Sequence, residues 1–459
     1  MKSKLQDGRG REQKNALIVT TVSGFVPQFE MNNVRILQEL GYQVYYASNF
    51  RNPSFGEDNS RLDGTGIVRC QIYLERSPFR VLAAVRAYRQ LKRLMREVPF
   101  ELLHCHTPMG GVLARLAAAG ADRERGKCCG KCREAEARKR GGQKTQHCRV
   151  IYTAHGFHFY KGAPLRNWLL YYPAERWLAR YTDVLITINS EDYRRAKSFR
   201  LRNAERSKTG GRNRQPVFHI NGVGIDLAKY REARRCRCEE RKKLGVAEDE
   251  FLLLSVGELS RRKNHRAVVR ALAELAGKRK TGSAGRGRRD KIPGKWKYII
   301  AGSGSQKGRL NRQIRRAGLQ KNIVLAGYRE DVEGLLAAAD CFVFPSKQEG
   351  LPVALLEAAA AGLPCIASDI RGNREVVQDG RSLFGPQDLK RLETLIASAY
   401  RSASGPGEGF SQAARAACAG ASAGISQRAG NPAAAVRLQK FDQREIRRKM
   451  RKIYEQSRT

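Results

Sequence analysis

Short apolar runs alternate with helix-spaced stretches along nearly the whole chain, and the alternation runs through twice. Strand-like runs fall at 16–22, 43–47, 102–105, 150–153, 184–188 and 217–220, with helical spacing at 79–96 and 166–180 between them. The pattern restarts with strands at 251–256, 297–301, 323–326, 341–344 and 365–367 and helices at 263–276, 306–317, 330–338 and 352–361. Strands separated by helices must pair in parallel, with the helices covering both faces of the sheet. Two α/β domains in tandem, each built on a doubly wound parallel sheet, are therefore expected.

The change of domain falls between Gly222 and Glu250, where Asn221-Gly-Val-Gly-Ile-Asp226 gives way to a charged stretch. The predicted domains are 15–225 and 226–440, followed by a terminal amphipathic helix within 441–457. Its apolar positions Phe441, Ile446, Met450, Ile453 and Tyr454 form a stripe that needs burial, either within the fold or as a basic helix lying on a membrane. Segments 120–149, 277–295 and 402–435 lack hydrophobic periodicity and read as an insertion and two loops.

Charge and cysteine narrow the function classes. The chain carries 87 Lys and Arg against 44 Asp and Glu, a net charge of +43. Most of that excess lies in segments 1–14, 120–149, 200–216, 231–243, 277–297 and 437–459, which read as loops and tails. Interleaved aromatic residues, which single-stranded nucleic acid needs for base stacking, are missing there, so no nucleic-acid partner is expected. An anionic membrane surface is a better partner for such charge. No run of 18 uncharged apolar residues occurs and the first 13 residues have no apolar core, so neither a membrane span nor a signal peptide is expected. Eleven cysteines, an odd number, fit reduced thiols, and the Cys128, Cys129, Cys132, His147, Cys148 cluster lacks the second spaced pair of a zinc site.

Open parallel sheets bind ligands at the carboxyl ends of their strands, which singles out the residues just past each predicted strand. Gly24 follows the first and allows close backbone approach at a helix start. His155, in Ala154-His-Gly-Phe-His158, can donate to a sugar hydroxyl or a phosphate, although a structural histidine explains it too. Lys263, after Gly257-Glu-Leu-Ser-Arg-Arg262, sits near a helix N-terminus where backbone N–H groups already favour an anion such as a diphosphate. Gly302-Ser-Gly304 is a phosphate-tolerant loop. Glu349-Gly350-Leu351-Pro-Val-Ala-Leu-Leu-Glu357 puts one carboxylate at a helix cap and a second inside the helix, a pair suited to accepting hydrogen bonds from polyol hydroxyls.

Together these residues resemble the retaining glycosyltransferases of family 4. The likeness rests on Glu349-Gly-Leu-Pro with Glu357-Ala, Gly362-Leu-Pro-Cys-Ile-Ala-Ser-Asp369, Gly372-Asn-Arg-Glu375, Asn221-Gly-Val-Gly-Ile-Asp226 and Thr153-Ala-His-Gly156. His104-Cys-His-Thr-Pro108 and the run from Tyr181 to Asp192 are similar to bacterial members that build capsule or exopolysaccharide units.

The resemblance implies a GT-B fold, two Rossmann-like domains facing across a cleft, with the terminal helix 441–457 packing back on the first domain. It implies a nucleotide-sugar donor, UDP-linked, and a polyprenyl-diphosphate-linked glycan acceptor. The enzyme would then be cytoplasmic and peripheral on the inner face of the plasma membrane. By the same resemblance Glu349 and His155 would be catalytic: Glu349 holds donor hydroxyls, and His155 the sugar near its reacting carbon. Glu357 would hold the ribose and Lys263 the diphosphate, with Gly24, Gly302, Gly304, Gly350 and Leu351 in the donor site. Where many members have Gly-Arg, this chain has Gly257-Glu258, which leaves Arg261 or Arg262 as the second phosphate cation. No cofactor and no metal are expected, because no Asp-x-Asp follows a strand. The alternatives are a nucleotide-sugar epimerase of the same fold and a basic nucleic-acid-binding protein.

Overall fold

The computed structural model describes residues 14–51, 53–54, 59–77, 79–106, 108–127, 147–202, 216–277, 292–404 and 438–456. The chain divides into two units: residues 1–223 with 446–459, and residues 224–445. The second unit thus starts two residues before the division drawn from the sequence and includes Phe441, which had been assigned to the terminal helix.

The first unit is built on seven strands: β1 (Lys14–Val19), β2 (Tyr42–Ser48), β3 (Val68–Gln71), β4 (Leu102–His106), β5 (Arg149–Ala154), β6 (Val184–Thr187) and β7 (Val217–His219). They pair in parallel in the order β3-β2-β1-β4-β5-β6-β7. Both faces are covered. Leu17, Val19, Leu103 and Cys105 enter one core, while their neighbours Ala16, Ile18 and Leu102 enter the other. That two-sided burial is why these strands read as continuous apolar runs.

The second unit repeats the plan with β8 (Phe251–Val256), β9 (Trp296–Ala301), β10 (Ile323–Gly327), β11 (Cys341–Phe344), β12 (Cys365–Ser368) and β13 (Leu383–Phe384). Its order is β10-β9-β8-β11-β12-β13, again all parallel. In each sheet the strand order reverses beside the first strand, between β1 and β4 and between β8 and β11. The crevice at such a switch point is where doubly wound sheets take ligands.

Two strands were not legible in the sequence. β3 is a half-exposed edge strand of sequence Val-Arg-Cys-Gln, and β13 has two residues, so neither offers an apolar run. Residues 120–127 finish the helix Pro108–Lys127 and residues 402–404 finish the helix Leu389–Ser404, which corrects part of the insertion and loop expectations. The remainder of the 402–435 loop, most of 277–295 and the cysteines at 128, 129 and 132 lie outside the described residues.

The basic stretch 231–243 is not a solvated loop. It forms the helices Leu227–Ala233 and Arg237–Lys243, and Arg234, Arg237 and Arg241 reach across to the C-terminal end of the helix Val332–Ala338. Arg234 donates to the carbonyls of Leu336, Ala337 and Ala339, and Arg237 and Arg241 donate to Ala338 at 2.7 and 2.9 Å. Asp340 completes the arrangement with ion pairs to Arg237 at 2.5 Å and Arg241 at 3.2 Å. Cations there satisfy orphan helix carbonyls and oppose the negative end of the helix dipole.

Cys238 is disulfide-bonded, against the expectation of thiols only, whereas Cys70, Cys105, Cys148, Cys236, Cys341 and Cys365 are free. Among the described residues no helix is long and apolar enough to cross a membrane.

The last helix, Gln443–Glu455, buries Ile446, Met450, Ile453 and Tyr454 in the first unit's core beside Ile18, Val34 and Val44. Phe441, just before it, is buried in the second unit among Leu252, Phe342 and Leu355. A short parallel bridge anchors it there, with the Ile225 N–H donating to the Phe441 carbonyl at 3.0 Å and the Gln443 N–H to the Ile225 carbonyl at 3.0 Å.

Candidate active site

In the second unit, the loops leaving β8, β9 and β11 bring a carboxylate and two cations together. Glu349 follows β11 and is 9% exposed. Its Oε1 accepts from Arg262 Nη1 at 2.8 Å and lies 2.9 Å from Lys263 Nζ. Burial alone would raise the Glu349 pKa, but Lys263 and Arg262 outweigh it and hold the carboxyl below its ordinary value. Lys263 is itself pushed down by burial and by Arg262, against the pull of Glu349, and its ammonium stands 4.5 Å from the Phe344 ring centre.

The loop after β9 can approach this group only because it carries glycine. Gly302 has φ +150°, and a Cβ there would lie 2.0 Å from the Gly257 carbonyl oxygen. Gly304 has φ +151°, and a Cβ there would meet the Leu259 oxygen at 2.6 Å. Any side chain would therefore drive apart the loops that leave β8 and β9.

Glu349 does not cap the helix Val353–Ala360. Pro352 occupies the cap position without a side-chain bond, so Glu349 is left for Lys263 and Arg262. Glu357 lies inside that helix and accepts from the Tyr230 hydroxyl at 2.7 Å; burial raises its pKa, with the Tyr230 bond opposing. Gly350 and Leu351 connect the two, with Leu351 half-buried against the second unit's core and the Gly350 carbonyl backed by Gly372.

In the first unit the switch point holds a different group. His155, one residue past β5, has Nε2 3.1 Å from Nδ1 of His106, the last residue of β4. Glu30 Oε1 is 3.5 Å from the same His106 nitrogen and 3.8 Å from His155 Nε2. Gly24 lies in the turn before Phe25, whose ring centre is 5.0 Å from that of His155. Burial raises the Glu30 pKa to about 8, against a hydrogen bond from Asn33, and lowers His155 to about 4. His104, lowered to about 3 by burial and then by His155, is held by the Tyr454 hydroxyl at 2.8 Å and Thr153 Oγ1 at 2.8 Å. A pocket opens beside the group, lined among others by Glu30, Asn33, Thr153, His155 and Gly222.

Every residue proposed from the sequence thus sits at the carboxyl end of a sheet or on the helix beside it. Glu30, Tyr230 and the facing of His106 on His155 were not foreseen. Glu30 is the only charged residue between Lys14 and Arg35, a weak sign that spacing rules do not weigh.

The profile described as glycosyl transferase 4-like domain matches residues 31–206, and that described as glycosyl transferases group 1 matches residues 237–416. The Bacillus subtilis protein named "Putative glycosyltransferase EpsD" is 34% identical over 372 residues, spanning 81% of this chain and 83% of its own. The Escherichia coli UDP-Gal:alpha-D-GlcNAc-diphosphoundecaprenol alpha-1,3-galactosyltransferase is 27% identical over 63% of each chain. Among solved structures, Anabaena HepE in complex with UDP and glucose superposes with a TM-score of 0.64 at 18% identity, covering 97% of this chain and 100% of HepE. Two parallel Rossmann-like sheets of one strand order, and a relative at this identity over four fifths of its length, make the chain a member of the family 4 glycosyltransferases, with the GT-B fold.

Proposed function

We propose that this glycosyltransferase moves a hexose or N-acetylhexosamine from a UDP-linked donor to a polyprenyl-diphosphate-linked glycan, with retention at the anomeric carbon, in exopolysaccharide or capsule synthesis. The observation that carries the reading is the Glu349, Lys263 and Arg262 group beside the glycine loop 302–304. Two cations poised at a sheet switch point suit a diphosphate, and a carboxylate between them suits sugar hydroxyls.

In this mechanism Lys263 and Arg262 stabilise the negative charge that builds on the leaving diphosphate as the anomeric C–O bond breaks. The acceptor hydroxyl attacks from the same face, and its proton passes to the departing phosphate oxygen. His155 orients the sugar, and Glu357 takes the ribose hydroxyls in place of its bond to Tyr230. The Escherichia coli relative, named for a UDP-galactose donor and a diphosphoundecaprenol-linked acceptor, supports this donor and acceptor pairing. Incubating the protein with a panel of nucleotide sugars and a polyprenyl-diphosphate-linked acceptor should release UDP and move labelled sugar into the lipid extract. Label that stays in a water-soluble nucleotide sugar of altered configuration would point to an epimerase instead.

The membrane part of the proposal is supported by two helices of the first unit. Val81–Glu97 and the Phe79 before it expose Phe79, Val81 and Leu82 beside Arg80, Arg86 and Arg89; Leu165–Leu178 exposes Leu165, Leu169 and Trp177 beside Arg166 and Arg176. Exposed apolar side chains among arginines suit an anionic lipid surface. The protein should co-sediment with anionic vesicles at low salt and be largely released at high salt. Failure to sediment, or extraction only by detergent, would contradict peripheral binding.

A further inference from the structure

We propose that Glu30, His106 and His155 form a binding site for one divalent transition-metal ion of the zinc class. The three residues come from adjacent parts of the first unit: Glu30 from the turn that follows β1, His106 from the end of β4, and His155 from just past β5. Because β1, β4 and β5 are neighbours in the sheet, their carboxyl ends deliver the three side chains to one point.

His106 Nδ1, His155 Nε2 and Glu30 Oε1 are separated by 3.1, 3.5 and 3.8 Å. A point equidistant from three atoms so spaced lies about 2.0 Å from each, the bond length of zinc to imidazole nitrogen and carboxylate oxygen. Two imidazoles and one carboxylate are also a ligand set that zinc-class ions take, with a fourth position left open. Glu30 and His155 line the pocket described above, so a water or a ligand oxygen has access to that position.

The Glu30 and His106 side chains are 2% and 0% exposed, and among the described residues no Lys or Arg forms an ion pair with Glu30. One proton shared between His106 Nδ1 and His155 Nε2 can serve only one acceptor, whereas a cation at the centre serves all three lone pairs. A divalent ion there would take the place of the protons that the group otherwise holds.

The surroundings hold the donors in place. Asn33 Nδ2 donates to Glu30 Oε2, which leaves Oε1 for the centre. The His104 ring packs 4.0 Å from that of His106 and is itself fixed by Tyr454 and Thr153. Such outer contacts orient metal ligands and limit their rotation. Coordination through Nδ1 would put the His106 ring proton on Nε2, which is buried without a hydrogen-bond partner among the described residues.

The full-length protein, freed of metal by chelator dialysis, should take up cobalt(II) with the visible absorption of a four-coordinate nitrogen and oxygen site, at about one equivalent per chain. Thiolate ligation by the cysteine-rich segment would instead add an intense near-ultraviolet band, which keeps the two apart. Glu30→Gln and His155→Asn should each weaken that uptake by more than about 100-fold, beyond the loss of an outer contact. Zinc should raise the melting temperature of the wild type and of neither variant. His155 is partly exposed, so His155→Asn remains informative if Glu30→Gln fails to fold. Equal uptake and equal spectra in wild type and His155→Asn, or no such uptake by the wild type, would overturn the proposal.

Discussion

Glu349→Gln should lower kcat/KM for the donor by at least about a hundredfold while leaving the protein folded. The amide keeps the shape and an acceptor oxygen, so Arg262 and Lys263 retain a partner. What it loses is the charge that makes bonds from cations and sugar hydroxyls strong, roughly 1.5–3 kcal/mol for each charge-assisted bond. Two such bonds amount to two or more powers of ten in rate. Glu349 is nearly buried and Lys263 is 13% exposed, so the pair is not an ordinary surface bridge. Arg262 is 43% exposed, and its share in stability is small. Initial rates of UDP release, with circular dichroism as the fold control, decide the matter. Near-normal turnover would take Glu349 out of the donor site.

Ending the chain at Glu445 should unfold the first unit. The deleted helix carries Ile446, Met450, Ile453 and Tyr454, all 4% exposed or less, along with the hydroxyl that holds His104. At about 1.5–3 kcal/mol for each buried apolar side chain the loss is roughly 6–12 kcal/mol, comparable to the whole stability of a domain. The Arg447 and Arg451 pairs with Glu39 add little, since all three side chains are partly exposed. Met450→Ala alone should cost about 2–5 kcal/mol and leave a folded but less stable protein. Limited proteolysis of the truncated chain should cut the strands of the first unit, β1 to β7, and spare those of the second, β8 to β13. Protection of both units, with an unchanged melting curve, would show that the helix is dispensable.

Strands buried on both faces, such as Leu102–His106 and Cys341–Phe344, announce themselves as apolar runs, and the residues just beyond them could be named without coordinates. Val68–Gln71, exposed at a sheet edge, carries no such signal. Arg237 and Arg241 looked like solvated charge because a sequence does not show that helix carbonyls about 100 residues away need donors. Glu349 and Glu357 looked like one carboxylate pair, yet one turns to Lys263 and Arg262 and the other to Tyr230.

From its sequence alone this protein's doubled α/β plan, its family and the chemistry of its strand ends could be read, because periodicity and short motifs are local properties. Only the tertiary structure decided which partners those residues have. Glu30, His106 and His155 are separated by 76 and 49 positions, and they meet because parallel pairing sets β1, β4 and β5 side by side. Pairing order is a property of the whole sheet, and no window of sequence contains it.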